Sequence, residues 1–178
     1  MHRRRQTFGT CAAVGAILAC VVLAETSSPT ALATARPVRC SVLPPVAPGR
    51  NTWGAAKRAL APSGPNRIRL CRYAFRNNPR GTSGDRLVGH GMATGAKAAG
   101  LARTFDALRT AKPDGRFTSC FFDDAPVVAY LEYPDGHSVT IFVVTSNCWS
   151  ATNGDLTRSA GESAWRRLRT QLLRLTRY

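Results

Sequence analysis

The segment that runs from Cys120 to Cys148 constrains the fold more than any other part of this chain. Pro134-Asp135-Gly136 separates two runs rich in β-branched and aromatic residues, and this tripeptide fits a type I turn closed by a glycine bulge. Placing Tyr133 opposite His137 fixes the register of the resulting hairpin, because every further pair follows from that one. One face then becomes wholly apolar, with the pairs Leu131/Val139, Ala129/Ile141 and Val127/Val143. The sequence therefore predicts a β-hairpin with one buried face.

The same register predicts the disulfide bonds. Cys148 lies opposite Phe122, which makes Cys120 its diagonal neighbour on one face, and a modest bulge would bring the two sulfur atoms together. Cys40 and Cys71 are then left to form the other disulfide with each other. Of the six cysteines, Cys11 and Cys20 belong to the export signal described below, and the other four are too widely spaced in sequence for the paired ligands that a zinc site uses. We therefore predict the disulfides Cys40–Cys71 and Cys120–Cys148, and no metal site.

Residues 1–33 have the organisation of an export signal. Three consecutive arginines precede residues 8–24, an apolar run without charge that is short for a membrane span. Two positions fit the small-x-small rule for signal cleavage, one after Ala24 and one after Ala33. We favour the second, because residues 25–35 are rich in Ser, Thr, Pro and Ala and have the composition of a spacer.

A lipoprotein is the alternative interpretation of this signal. Ile17-Leu18-Ala19-Cys20 is similar to a lipobox, and a lipid on Cys20 would anchor the mature protein to a membrane. Both interpretations place the mature chain outside the cytoplasm, where disulfides persist. The sequence thus predicts a protein that is secreted or associated with the cell envelope.

The remaining elements give the domain organisation. Residues 34–66 are rich in proline, which blocks long helices and central strands, so they are predicted to form an irregular arm tied down through Cys40, with a short helix over residues 52–60. Residues 67–178 are predicted to form an α+β domain that begins with a strand over residues 68–75. Residues 86–100 are ambiguous because glycines interrupt them, and residues 149–155 are predicted to form a turn.

Two helices follow from the apolar periodicity. The first is predicted from Ala96 to near Lys112. The second is predicted to begin at Ser159, an N-cap whose capping box Glu162 completes. The buried stripes are Leu101, Phe105 and Leu108 in the first helix, and Trp165, Leu168, Leu172 and Leu175 in the second. The predicted fold is therefore α+β: a short antiparallel sheet, made of one strand and the β-hairpin, backed by two helices and stapled by disulfides.

Four ordered motifs carry a resemblance to a known group. They are Cys71-Arg72-Tyr73, Cys120 followed by Asp123-Asp124, Tyr133-Pro134-Asp135-Gly136, and Cys148 followed by Asn153-Gly154. Through these motifs, residues 68–178 resemble a group of small exported actinobacterial proteins of unknown function. The resemblance implies export and this fold, and it implies no activity.

A large positive charge limits the choice of partners. The whole chain carries a net charge of +15, and the chain without residues 1–33 keeps +13. Such a charge favours polyanions and anionic surfaces, at a strength that salt reduces. Outside a cell, these are wall polymers, lipid headgroups or acidic proteins rather than nucleic acid.

The first strand and its loop supply the candidate ligand-binding residues. Tyr73 and Phe75 interleave with arginines there, which is the pattern of a polyanion-binding groove. The candidate residues are Arg69, Arg72, Arg76, Arg80 and Arg86. Arg166, Arg167 and Arg169 on the last helix add to the same charge. The competing interpretation is a solvated basic surface above core aromatic residues.

No catalytic site is predicted, and no cofactor. A hydrolase would need His90 or His137 beside a nucleophile and a carboxylate, and the usual hydrolase motifs are missing from the sequence. His137 is predicted to stack on Tyr133. Asp123-Asp124 could bind Ca²⁺ or act as an acid–base pair, but neighbours on a strand point to opposite faces, so we favour salt bridges to nearby arginines.

The sequence therefore predicts a non-enzymatic domain that binds anionic envelope components. One alternative is a secreted protein that docks on or inhibits an extracellular enzyme through the loop at residues 77–85. The other is a small hydrolase that uses His90.

Overall fold

The computed structural model describes residues 38–45, 48–76, 84–110, 126–145 and 150–177. Within these ranges the chain forms seven strands and two helices. In chain order they are β1 (Arg67–Arg76), β2 (Gly84–Thr94), α1 (Gly95–Asp106), β3 (Arg109–Thr110), β4 (Val127–Glu132), β5 (Ser138–Val144), β6 (Ser150–Thr152), β7 (Thr157–Ser159) and α2 (Glu162–Leu175).

All seven strands belong to one antiparallel sheet with the order β2-β1-β4-β5-β6-β7-β3. The α+β class is confirmed, but the sheet is larger than the predicted strand plus hairpin. Four strands account for the difference. Strand β2 includes residues 86–94 of the segment that was ambiguous in sequence, and the predicted turn at residues 149–155 contains β6. The short strands β3 and β7 were predicted as the end of the first helix and the start of the second.

The predicted β-hairpin is confirmed residue by residue. Val127 pairs with Val143 and Leu131 with Val139, which is the register expected from the turn. The turn is closed by the Gly136 amide, which donates to the Tyr133 carbonyl, and Gly136 has a φ of 85° that favours glycine. The register could be predicted because every contact that fixes it lies within this one segment.

The sheet is covered on both faces, and β1 shows how. Its residues alternate between faces, so Ile68 and Leu70 join the main core under the helices, whereas Cys71 and Tyr73 join a second cluster under the arm. All four side chains are fully buried. The second cluster is completed by Val128 and Phe142, with Cys40, Leu87 and Tyr130 packed against it.

Both helices bury the stripes that their periodicity predicts. Leu101 and Phe105 of α1 and Trp165 and Leu168 of α2 are at most 1% exposed. The capping-box prediction is wrong: α2 begins at Glu162 after an N-cap at Gly161 that makes no side-chain capping bond. The physical reason is that Ser159 belongs to β7, which leaves it committed to strand pairing.

The first helix also ends earlier than predicted, at Asp106 instead of near Lys112. Leu108 is buried as expected, but it lies beyond the helix, where the chain turns into β3 and pairs with β7. Neither α1 nor α2, the helices within the described ranges, has the length and apolar character needed to span a bilayer.

The arm lies against the sheet. The predicted disulfide Cys40–Cys71 is present and fixes the arm to β1. The Tyr73 hydroxyl donates to the Ser41 carbonyl, and the Leu87 amide donates to the Val42 carbonyl. The arm therefore covers the face of the sheet that lies opposite to the helices. Cys120 and Cys148 lie outside the described residues, so their bond stays a prediction.

The second half of the arm packs beside the main core without the predicted helix. Residues 52–60 form hydrogen-bonded turns that bury Ala56 and Leu60. Trp53 stacks on His137, with ring centroids 4.8 Å apart, and meets Tyr133 edge-on. The predicted stacking of His137 on Tyr133 is therefore wrong, because the arm places the indole of Trp53 over the imidazole of His137.

Candidate functional site

The structure does not bring all the predicted arginines of the first strand and its loop together. Arg69 and Arg72 lie three positions apart on β1, so their side chains leave opposite faces of the sheet. Arg86 lies on β2 opposite Ala74, which puts it on the same face as Arg72. Arg76 is the last residue of β1, and Arg80 lies outside the described residues. A single flat ligand surface cannot engage both Arg69 and Arg72.

Arg72 has a structural position under the last helix. It lies on the helix-covered face beside Gly89, where the carbonyl end of α2 also approaches the sheet. A cation near a helix C-terminus is favourable because the carbonyl groups there carry partial negative charge. This placement gives Arg72 a role in docking α2.

His90 is exposed on β2, and its register partner on β1 is Cys71. Because Cys71 is bonded to Cys40, it cannot serve as a nucleophile for this histidine. Asp123-Asp124 lies outside the described residues. Within the part of the chain that the structure describes, no three His, Cys, Asp or Glu side chains come together as a metal site would require.

A long groove lies between α1 and α2. It consists of two cavities of about 670 and 750 Å³ that share Gly100, Arg167 and Gln171. The groove exists because both helices pack mainly on the sheet, and because the small residues Gly100 and Ala164 stand where larger side chains would fill the gap. A glycine inside a helix costs about 1 kcal/mol relative to alanine, so Gly100 keeps the groove open at the expense of stability.

The rims of this groove are cationic. Six exposed basic side chains contribute: Lys97 and Arg103 from α1, Arg109 from β3, and Arg166, Arg167 and Arg174 from α2. None of the carboxylates that the structure describes lines either cavity. Among the described residues, Arg166 is the rim cation with an acidic partner, Glu162 one turn earlier on α2.

Asp106, Glu132 and Asp155 are engaged away from the groove. Asp106 accepts a hydrogen bond from the Leu60 amide, and Glu132 pairs with Arg67. Asp155 accepts hydrogen bonds from the backbone amide and the side chain of Asn51, and these bonds hold the pKa of Asp155 below its ordinary value of 3.8. The carboxylates therefore stabilise loops and turns, and leave the groove positive.

The floor of the groove is lined by both apolar and polar residues. Leu101 and Leu168 lie at its base, but they are 0% and 1% exposed and offer little apolar surface. The uncharged polar side chains in the lining are Thr104, Ser163, Thr170 and Gln171. Such a groove can pair anionic groups along its rims and hydrogen-bond neutral polar groups between them.

Sequence reasoning identified only part of this site. Arg166 and Arg167 were recognised as charges on the last helix, whereas Lys97, Arg103, Arg109 and Arg174 were not assigned to a site. The missing information is that α1 and α2 lie side by side, which depends on long-range packing. A usable signal was nonetheless present, because each predicted helix carries basic residues beside its apolar stripe.

Comparisons of this chain with known protein families, with curated proteins and with solved structures gave no match.

Proposed function

We propose that this protein is exported and binds an anionic component of the cell envelope, without catalysis, in the groove between α1 and α2. The observation that carries the proposal is the charge of the groove: six basic side chains surround it, and no carboxylate of the described residues lines it. The main binding surface is thereby moved from the first strand, where Arg69 and Arg72 lie on opposite faces, to the helices.

Electrostatics supports a ligand at this place. Basic side chains held on two facing rims repel each other across the groove, and that repulsion opposes folding unless a counter-charge is bound. Concave sites also focus the potential, because the protein on either side has a low dielectric constant. Both effects would strengthen the binding of an anionic chain in the groove.

The compartment decides which anions the protein meets. The export signal over residues 1–33 and the Cys40–Cys71 disulfide support a location outside the cytoplasm. Anionic wall polymers, lipid headgroups and acidic proteins are the candidates there. The enzyme-docking alternative depends on the loop that begins at residue 77, and the hydrolase alternative depends on His90; neither draws support from the groove.

Sedimentation with purified cell walls tests the proposal. The protein is expected to pellet with walls at low salt and to be released at high salt, because the screening length falls from about 10 Å at 0.1 M to about 3 Å at 1 M. Two variants of equal charge separate groove binding from general attraction. The groove variant replaces Arg103, Arg167 and Arg174 by Gln, and the control replaces the exposed Arg58, Arg169 and Arg177, none of which lines the groove.

The groove variant should stay in the supernatant under conditions in which the control still pellets. Thermal melting of both variants verifies that they are folded. Wild-type protein that remains in the supernatant at low salt would refute envelope binding. Equal losses in the two folded variants would refute the groove as the site.

A further inference from the structure

We propose that the ligand of the groove is a linear polymer with one negative charge per hydrophilic repeat unit, as in a polyol phosphate, and that one chain lies lengthwise between α1 and α2. This inference rests on the proposed function and specifies its ligand. It is carried by the length of the groove, the spacing of its cations and the chemistry of its floor.

The length of the groove favours an extended ligand. Its lining positions on α2 run from Ser163 to Leu175, which corresponds to about 18 Å at a rise of ~1.5 Å per residue. A single phosphate or carboxylate could contact only one part of such a groove. A chain that runs along it could reach the cations of both cavities.

The spacing of the cations favours separated charges. Arg167 and Arg174 lie about 10 Å apart along α2, and Lys97 and Arg103 lie about 9 Å apart along α1, by the same helical rise. In a polymer whose negative charges lie close together, many of these charges would fall between the cationic side chains and would remain unpaired. One charge per repeat unit places neutral segments there instead.

The floor of the groove matches such neutral segments. Ser163 and Gln171 present hydroxyl and amide groups that can donate to and accept from polyol hydroxyls. The Thr104 hydroxyl donates to the Gly100 carbonyl, so it can only accept from a ligand. These uncharged polar groups therefore suit a repeat unit that carries hydroxyl groups.

The type of cation favours phosphate groups. Five of the six basic side chains at the rims are arginines. The planar guanidinium group offers two parallel N–H donors, and these fit the two non-bridging oxygens that share the charge of a phosphodiester. Arg167 lines both cavities, so it is the residue that any chain passing along the groove must meet.

Calorimetric titration with glycerol phosphate oligomers tests the inference. The probes are the monomer, the dimer, the tetramer and the octamer at equal ionic strength. Affinity should rise with length and level off once a chain spans about 18 Å of groove. Arg167→Gln should weaken octamer binding about tenfold, the loss expected for one hydrogen-bonded charge contact. Arg169→Gln, which removes the same charge from α2 outside the groove, should change it little.

Three results would overturn the inference. The first is an octamer that binds no tighter than the monomer. The second is an equal loss in the Arg167 and Arg169 variants. The third is groove-dependent binding to poly-aspartate or to anionic vesicles without binding to the oligomers. In that third case binding to walls would persist and the proposed function would stand. Absence of wall binding at low salt would instead refute the proposed function itself.

Discussion

Asn153 joins the arm to the sheet through one buried amide. The residue is 1% exposed, and its Nδ2 atom donates to the carbonyls of Ala56 and Leu60 at 2.8 and 3.2 Å. Its Oδ1 atom accepts from the Leu156 amide at 2.9 Å. The neighbouring Gly154 has a φ of 92°, and a side chain there would meet the Gly49 carbonyl. Asn153-Gly154 therefore has a structural role in this fold.

Replacing Asn153 by alanine should destabilise the protein by about 2–4 kcal/mol, because several buried hydrogen bonds are lost and their carbonyl and amide partners are left unpaired. Urea unfolding monitored by fluorescence measures the change. Asn66→Ala is the control, since Asn66 is exposed and the hydrogen bonds recorded for it use its backbone. Equal effects of the two substitutions would contradict this role of Asn153.

Asp155 gives the protein a defined response to acid. Its pKa in the folded state is lowered below 3.8 by hydrogen bonds from Asn51, while the unfolded chain has an ordinary aspartate pKa. A lowered folded pKa adds stability that is fully present above the unfolded value and is lost as the pH falls through the folded value.

We therefore expect the free energy of unfolding to decrease as the pH falls from about 5 to about 2. In Asp155→Asn this decrease should be shallower, because the residue no longer titrates. Urea unfolding at a series of pH values compares the two proteins. Curves of equal slope on the acid side would show that Asn51 does not stabilise the Asp155 carboxylate.

The interface between β2 and α2 illustrates which elements the sequence could predict. The hairpin was predictable because its turn and its pairing are local. Strand β2 was not, because Gly89 and Gly91 lower the strand signal and are explained only by distant residues. A Cβ atom on Gly91 would lie 1.7 Å from the Leu175 carbonyl oxygen, and one on Gly89 2.1 Å from that of Thr176. The glycines let the end of α2 rest on the strand.

Gly91→Ala should therefore destabilise the protein, because the end of α2 would have to shift away from β2. Gly100→Ala is the matched control. Gly100 lies within α1, where an added Cβ would meet only the end of the Arg103 side chain, at 3.9 Å. That substitution should stabilise the protein by about 0.5–1 kcal/mol. Thermal melting measures both changes, and a stable Gly91→Ala protein would contradict the close approach.

At the scale of the whole molecule, the Cys40–Cys71 bond holds the arm over the second face of the sheet. The double substitution Cys40→Ser and Cys71→Ser should lower the free energy of unfolding by about 3–4 kcal/mol, the chain-entropy value for a loop of this length. Urea unfolding measures the loss. An unchanged midpoint would mean that the hydrogen bonds from Tyr73 and Leu87 hold the arm without the bond.

The charge of the molecule could be read from the sequence, but its distribution could not. Composition predicts an anionic partner, since basic residues greatly outnumber acidic ones. The groove appears only when α1 and α2 dock beside each other on a seven-stranded sheet, which sets Arg103 across from Arg167 on the rims of one cavity. The sequence pointed to the arginines of β1 because they are neighbours in the chain, and strand geometry separates them.

A nuclear magnetic resonance titration with solubilised wall polymer tests the central claim most directly. If the groove is the binding site, the largest changes in backbone amide shift should fall on Gly100, Thr104, Arg167 and Gln171, and high salt should reverse them. Shifts concentrated on Arg69 and Arg86 of the sheet, with α1 and α2 unchanged, would contradict the account.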